Sequence, residues 1–261
     1  MIRLKSAMQI EGIAAAGSIV AEVLEMVSET TSPGVSTGDL DEMAEDLIRG
    51  HLGAIPAFKG LYGFPGTLCT SVNDEIVHGI PSFNREMMTG DIVSVDCGVQ
   101  LDGLFADAAV TIPVGEITQN AQRLLDITQS SLDVGVAAAR SGSQLGDLGF
   151  AIQTHVETAG YSVIRELVGH GVGEGVHEEP QVPNFGTPGY GVRMEPGLVI
   201  AIEPMVNEGK YDTKMLKDGW TAVTKDKSLS AQFEHTVGVT VDGFEIFTKS
   251  KKNYEQPPYQ V

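Results

Sequence analysis

The sequence predicts an α/β fold built from two similarly organised halves. Segments with apolar residues at helical spacing occur as a pair before residue 50 and as a second pair between residues 118 and 160. Each pair is followed by a glycine-rich stretch and then by segments rich in Val and Ile, which favours strands. We therefore expect two related halves around one central site.

The first helix pair is indicated by spacing and by a start signal. Residues 1–27 place apolar side chains between Glu11, Glu22 and Glu25, which is typical of an amphipathic helix and not of a signal peptide. The run at 36–39, Ser-Thr-Gly-Asp, resembles a helix start, and Leu40 begins an apolar series at helical spacing.

The second helix pair is predicted at residues 118–140 and 143–160 by the same spacing. The tail from Lys249 is polar and contains Pro257-Pro258, so we expect it to be peripheral.

Length and composition narrow the functional classes. With 261 residues, 42% of them hydrophobic, the chain can bury a large core in one domain, although the length alone permits two. The formal net charge of -18 disfavours broad nucleic-acid binding, since phosphates require clustered Lys and Arg. Cys69 and Cys97 are the only cysteines, which favours a reducing compartment, and no segment approaches the ~20 apolar residues of a membrane span.

The segment 91–112 predicts a strand pair that brings two aspartates together. Asp96 lies on the strand face opposite an apolar stripe of Val93, Val95, Cys97 and Val99. Asp102-Gly103 is a strong two-residue hairpin signal, and a loop there sets Gly98 opposite Asp107. Asp96 and Asp107 then become diagonal neighbours at roughly 7 to 8 Å between backbones, where a divalent cation would relieve the repulsion of their carboxylates.

Two further carboxylates stand in apolar strand segments. Glu203 ends the apolar run 198–203, and Glu234 precedes the alternating run 235–241, on the strand face opposite His235 and Val241. A single acid in such a segment would most often be solvated. Because buried acids are costly unless they are paired or metal-bound, four of them in strand segments require a shared explanation.

Histidines supply donors of a second kind. The segment 169–180 contains too much glycine for a helix-borne zinc motif, and it lacks the third glycine of a dinucleotide-binding loop. We expect a strand or extended loop that presents His170 as a ligand, with His177 further along. A lone histidine in this place would more often be structural.

Together these residues resemble the methionine aminopeptidases of the shorter, type I class. The matching stretches span nearly the whole chain and lie at 71–81, at Asp96 with Asp107, and at 169–180, 202–205 and 232–236. The resemblance implies the pita-bread fold, an α/β (α+β) fold whose pseudo-twofold antiparallel sheet carries two pairs of helices on one face. It also implies a single catalytic domain over residues 1–261, with neither an N-terminal zinc-binding extension nor a type II insertion.

The resemblance further implies a metal-dependent hydrolase that removes the initiator methionine of nascent proteins. Two divalent ions would activate the attacking water, held by Asp96, Asp107, His170, Glu203 and Glu234, with Asp107 and Glu234 bridging. His78 and His177 would contact the substrate, and Glu203 would also shuttle a proton. A mainly oxygen donor set suits Mn, Fe, Co or Zn, and the sequence does not select among them.

A pocket for the methionine side chain is also implied by the resemblance. Its walls would be Phe58, Phe64, Cys69 and Trp220, with Val176 and His78 nearby. A thioether prefers polarisable and aromatic walls, although core packing is the ordinary role of such residues. Family members often carry Cys and Tyr where this chain has Phe58 and Leu61, and an aromatic where it has Val176. These differences leave the width of the pocket undetermined by the sequence. We expect a small second residue in the substrate, because that residue must fit close to the metals.

Three alternative functions share some of these features. Proline-specific aminopeptidases and dipeptidases have similar ligands but usually carry an extra N-terminal domain. A catalytically silent relative that binds proteins or RNA would have lost ligands, whereas all five are present here. A structural cation site would leave His78 and His177 unexplained.

The expected partners and location follow from the same resemblance. We expect the N-termini of nascent polypeptides as substrates, a transient contact with the ribosome, no membrane association, a cytoplasmic location and a monomer.

Overall fold

Four α-helices are present in the computed structural model, which describes residues 2–250 and 252, and they lie where the sequence predicts them. They are α1 Ala7–Thr30, α2 Thr37–Gly50, α3 Gln119–Ala138 and α4 Leu145–Thr158. Ser6, Ser36 and Thr118 begin the first three, because each side-chain oxygen accepts a backbone N–H of the first turn. Of the predicted peripheral tail, residues 251 and 253–261, with Pro257-Pro258, lie outside the described residues.

The strands of the first half are organised around one long hairpin. In chain order they are β1 Ala54–Pro56, β2 Leu68–Val72, β3 Glu75–Val77, β4 Ile92–Leu101 and β5 Leu104–Pro113, with a short 3-10 helix at Leu61–Gly63. β4 pairs with β5 along its whole length, and β1 and β2 share its other edge. Asp102 and Gly103 both have positive φ, as a two-residue hairpin turn requires, and Gly98 is paired with Asp107. The predicted register is confirmed.

The second half contains shorter strands. They are β6 Ser162–Val163, β7 Gly169–Gly171, β8 Glu178–Val182, β9 Val199–Ile202, β10 Met205–Asn207, β11 Thr213–Met215, β12 Ala222–Thr224, β13 Ser230–Gln232, β14 His235–Val239 and β15 Phe244–Ile246. Five of them form a sheet in the order β15-β14-β9-β7-β8. The predicted strand is present at His170 in β7, whereas His177 lies in the loop 172–177 between β7 and β8. The prediction that Val241 continues the strand of His235 is wrong. The chain turns after β14, where the Thr240 N–H donates to the Gly243 carbonyl, and Val241 is 78% exposed.

The two halves meet where β5 lies beside the chain of β13 and β14. The Glu234 N–H donates to the Ala109 carbonyl at 2.8 Å, and Thr236 Oγ1 donates to the Asp107 carbonyl at 2.7 Å. One hydrophobic cluster also runs through both halves, from α1 and β4 to α3 and β9. The strands that carry the predicted ligands are thus held side by side.

The helices show no membrane-spanning segment. In the described part of the chain, no helix combines the length and the apolar composition that crossing a bilayer requires. Superposition of the two halves stays a prediction.

Candidate active site

A cavity of about 550 Å³ is lined by residues from both halves. All five side chains predicted as ligands line this cavity: Asp96, Asp107, His170, Glu203 and Glu234. His78 and His177 line it as well. The fold therefore brings together acids and histidines that are remote from one another in the sequence.

The tightest cluster within the cavity consists of Asp107, His170 and Glu234. Each offers one ligand atom, and these atoms lie within 4.8 Å of one another. The His170 Nε2 atom is 3.5 Å from Asp107 Oδ2 and 3.6 Å from Glu203 Oε1. Asp96 reaches the same cavity from β4, diagonally across the ladder from Asp107.

Neighbouring polar groups orient several of these donors. His170 Nδ1 lies 3.0 Å from the Gly171 carbonyl, and an N–H donated there leaves the Nε2 lone pair facing the acids. The Gln232 amide donates to Glu203 Oε2 at 3.2 Å, and Thr236 Oγ1 lies 3.1 Å from Asp107 Oδ1. Glu203 is held by one carboxylate oxygen, while its other oxygen faces His170.

The carboxylates are crowded in a buried environment. Burial, and then the charge of Asp107, raises the pKa of Asp96 well above its usual range. Burial is also the largest cause of the strongly raised pKa values of Glu203 and Glu234, and neighbouring acids add to it. The pKa of Asp107 is raised by burial and lowered in part by His170 and Thr236. Buried carboxylates this close together are stable only if they hold protons or a cation.

The donor set fits a divalent cation. Asp96 Oδ1 is buried and has no hydrogen-bond partner, which is costly for a carboxylate oxygen unless an ion completes its shell. Four carboxylates and one imidazole form a mainly oxygen shell of the kind that divalent first-row metals accept.

The two other histidines of the cavity have lowered pKa values, which favours their neutral forms. Burial, then His170 and His78, lowers the pKa of His177 to about 4, and burial lowers the pKa of His78. The rings of His170 and His177 meet edge to face, with centroids 4.5 Å apart. A neutral imidazole can donate a hydrogen bond to a ligand carbonyl, so both side chains can bind a polar group beside the acids.

An apolar pocket adjoins the acidic cluster. The predicted walls Phe58, Phe64 and Cys69 pack with Val176 in one buried cluster, and Trp220 packs against it. The Phe64 and Trp220 rings are edge to face with centroids 5.2 Å apart. Burial raises the pKa of the Cys69 thiol well above its usual range, so this side chain is a neutral, polarisable wall.

Sequence reasoning missed several residues that line the cavity, above all Tyr62. This side chain is 77% exposed, has φ 51°, and its ring is stacked on His177 with centroids 6.1 Å apart. The glycines at 60 and 63 indicate a tight loop but not the direction of the ring. Leu167, Gln181, Met205 and Gln232 line the cavity too and were not assigned a role from the sequence.

Comparisons with known proteins agree with this geometry. Residues 11–241 match the family model described as metallopeptidase family M24. The chain is 49% identical over 251 residues to a methionine aminopeptidase of Clostridium perfringens, covering 96% of this chain and 100% of that protein. It is 47% identical over 249 residues to methionine aminopeptidase 1 of Bacillus subtilis, covering 95% and 100%.

Solved structures give the same result. The crystal structure of a methionine aminopeptidase from Thermotoga maritima has a TM-score of 0.94 and 44% identity, covering 96% of this chain and 100% of that one. A prolidase from Pyrococcus horikoshii has a TM-score of 0.75 at 22% identity, covering 96% of this chain and 64% of that one. The second likeness extends to the fold alone.

Proposed function

The chain belongs to the methionine aminopeptidases of metallopeptidase family M24, and on this premise we propose that its acidic cavity removes the initiator methionine of nascent polypeptides. The chain is a metallo-aminopeptidase, and the predicted pita-bread fold is confirmed by its likeness to solved methionine aminopeptidases. One observation carries the proposal. Five donor side chains from remote segments line one cavity that adjoins an apolar pocket of suitable chemistry for a thioether.

We propose a centre for two divalent ions. Asp96, Asp107, His170, Glu203 and Glu234 would hold them. The raised pKa values support this, since cations would replace the protons that crowded carboxyls otherwise retain. When bound, the ions supply Lewis acidity that polarises the scissile carbonyl and makes a water nucleophilic. Mn, Fe, Co and Zn all suit these donors.

Glu203 is the proposed proton shuttle. Because the Gln232 amide holds Oε2, Oε1 is left to take a proton from the attacking water and to pass it to the leaving amine. His78 and His177, whose lowered pKa values favour the neutral ring, are proposed to donate hydrogen bonds to the substrate. A donor aimed at the oxygen that gains negative charge commonly contributes about 3 kcal/mol to the transition state.

The apolar cluster of Phe58, Phe64, Cys69, Val176 and Trp220 is the proposed methionine pocket. The residue after methionine must pass beside the ligands in the same cavity, so we propose a preference for small second residues. Equal rates for Met-Gly and Met-Trp peptides would contradict this preference.

The proposed context is that of a single catalytic domain over residues 1–261, acting as a cytoplasmic monomer on nascent chains with a transient ribosome contact. The hydrophobic cluster common to both halves supports one domain. Cys69 and Cys97, both free and buried, accord with a reducing compartment.

A peptide panel tests the function. Chelated protein is reloaded separately with Mn, Fe, Co or Zn and assayed on Met-Ala-Ser, Leu-Ala-Ser and Ala-Pro-Ser. We expect release of methionine from the first peptide alone, and only with metal. Cleavage of Ala-Pro-Ser would support a proline-specific enzyme instead, and full activity after chelation would exclude the metal mechanism.

A further inference from the structure

A buried ion pair outside the ligand set joins the N-terminal segment to the loop that carries His177. Lys5 Nζ lies 2.6 Å from Glu178 Oε2, and the lysine side chain is 1% exposed. A lysine so completely buried is costly unless its charge is compensated. We propose that Lys5 is a positioning residue for the loop 172–177 between β7 and β8, and through it for His177 and Val176. This inference rests on the function proposed above.

Glu178 connects Lys5 to the loop through hydrogen bonds that both of its carboxylate oxygens accept. While Oε2 binds Lys5, Oε1 accepts the backbone N–H groups of Glu174 at 2.7 Å and Gly175 at 3.0 Å. Both amides belong to the turn that immediately precedes Val176 and His177. One carboxylate therefore connects the lysine to the backbone that sets the direction of the His177 ring.

The lysine is itself held on two sides. Its backbone N–H donates to the Gly197 carbonyl at 2.7 Å, in the chain that leads into β9 and Glu203. Its stem lies against Gly173, where an added Cβ would come within 2.4 Å of Lys5 Cε. The backbone of Lys5 is thus anchored outside the loop, at Gly197, while its stem packs against the loop at Gly173.

A second pair spans the same two segments at the surface and offers a matched control. Arg3 Nη1 binds Glu174 Oε2 at 2.8 Å, but these side chains are 67% and 43% exposed. Exposed pairs contribute little because water competes for both partners. Loss of the Arg3 charge should therefore leave the loop in place, whereas loss of the Lys5 charge leaves the Glu178 carboxylate without its counter-ion.

The test compares Lys5→Met, Lys5→Arg, Arg3→Met and the double variant Lys5→Met/Glu178→Leu. For Lys5→Met we expect kcat on Met-Ala-Ser to fall roughly 10- to 100-fold, the range that misplaced catalytic geometry produces. Metal affinity, measured by calorimetry, should be kept, since Lys5 is not one of the proposed ligands. Lys5→Arg should recover most of kcat, and Arg3→Met should resemble the parent protein.

The double variant separates positioning from stability. It removes both charges, so its unfolding midpoint should recover relative to Lys5→Met, while kcat stays low because the amides of Glu174 and Gly175 have lost their acceptor. A double variant that regains kcat together with stability would overturn the proposal, as would a folded Lys5→Met protein with the parent kcat.

Hydrogen exchange gives a reading that does not depend on activity. The amides of Glu174 and Gly175 should lose protection in Lys5→Met and keep it in Arg3→Met. Unchanged protection in Lys5→Met would refute the positioning role. A parent protein that releases no methionine with any of the four metals would refute the proposed function instead, and the exchange result would still stand on its own.

Discussion

Glu203 is the residue at which the proposed chemistry can be tested by the smallest change. Glu203→Gln keeps the size of the side chain but cannot accept a proton, so we expect kcat on Met-Ala-Ser to fall about 10²- to 10⁴-fold at saturating metal. The unfolding midpoint of the metal-free protein should hold or rise, because a buried acid with a raised pKa becomes a neutral amide.

The control for this substitution is Glu195→Gln, an exposed glutamate before β9 that should retain the parent kcat. A Glu203→Gln protein with the parent activity would remove the proton-shuttle role from this side chain.

Single residues differ in how well the sequence identifies them. Acids such as Asp96 and Glu234 stand out because a carboxylate in an apolar strand is costly without a compensating charge. Tyr62 does not stand out, because an exposed aromatic side chain in a glycine-flanked loop carries no energetic cost that would indicate a function. Its stacking on His177 exists only after the loop has folded over the cavity.

The hairpin of β4 and β5 is the element that the sequence defines most completely. A two-residue turn at Asp102 and Gly103 fixes every pairing along both strands, so the sequence alone predicts that Asp107 lies opposite Gly98. The approach of His170, Glu203 and Glu234 to this hairpin depends on packing between distant segments. Local spacing carries no information about that packing, and only the resemblance to a family implied it.

The turn of this hairpin can be tested with two glycines. Gly103 has φ +83° and open space around the position of a Cβ, so Gly103→Ala should destabilise the fold by roughly 1 to 2 kcal/mol through backbone strain alone. Gly50, the last residue of α2, also has open space but no positive φ. Gly50→Ala should be neutral or stabilising by up to ~1 kcal/mol.

Urea unfolding of the two variants measures both free energies. Equal changes in the free energy of unfolding for the two variants would show that the left-handed turn does not stabilise the hairpin. That result would contradict the role of the turn in setting the strand register.

At the scale of the whole molecule, the metal site links catalysis to folding. The chain carries a formal charge of -18, and several of its acids are buried together where water cannot screen their repulsion. Cations that bind only the folded protein add stability by mass action, about 2.7 kcal/mol at a hundredfold excess over the dissociation constant. Metal binding should therefore determine how stability depends on pH.

We expect the metal-free protein to lose stability as the pH rises from the ordinary carboxyl range towards the raised pKa values of its buried acids. The carboxyls of Asp96, Glu203 and Glu234 have raised pKa values in the fold, so the folded protein retains protons that the unfolded chain has released. Their contribution to stability is full below the unfolded pKa values near 4 and is lost as the pH passes through the raised ones.

Thermal unfolding of the protein with chelator and with saturating Mn, at several pH values above the ordinary carboxyl range, measures the effect. With metal the dependence should disappear, since the ions replace the retained protons, so the difference between the two midpoints should widen with pH. Asp96→Asn should flatten the metal-free curve, because it removes one of the carboxyls that retain a proton. Parallel curves with and without metal would mean that these acids do not share the ions, and the proposed ligand set would fail with them.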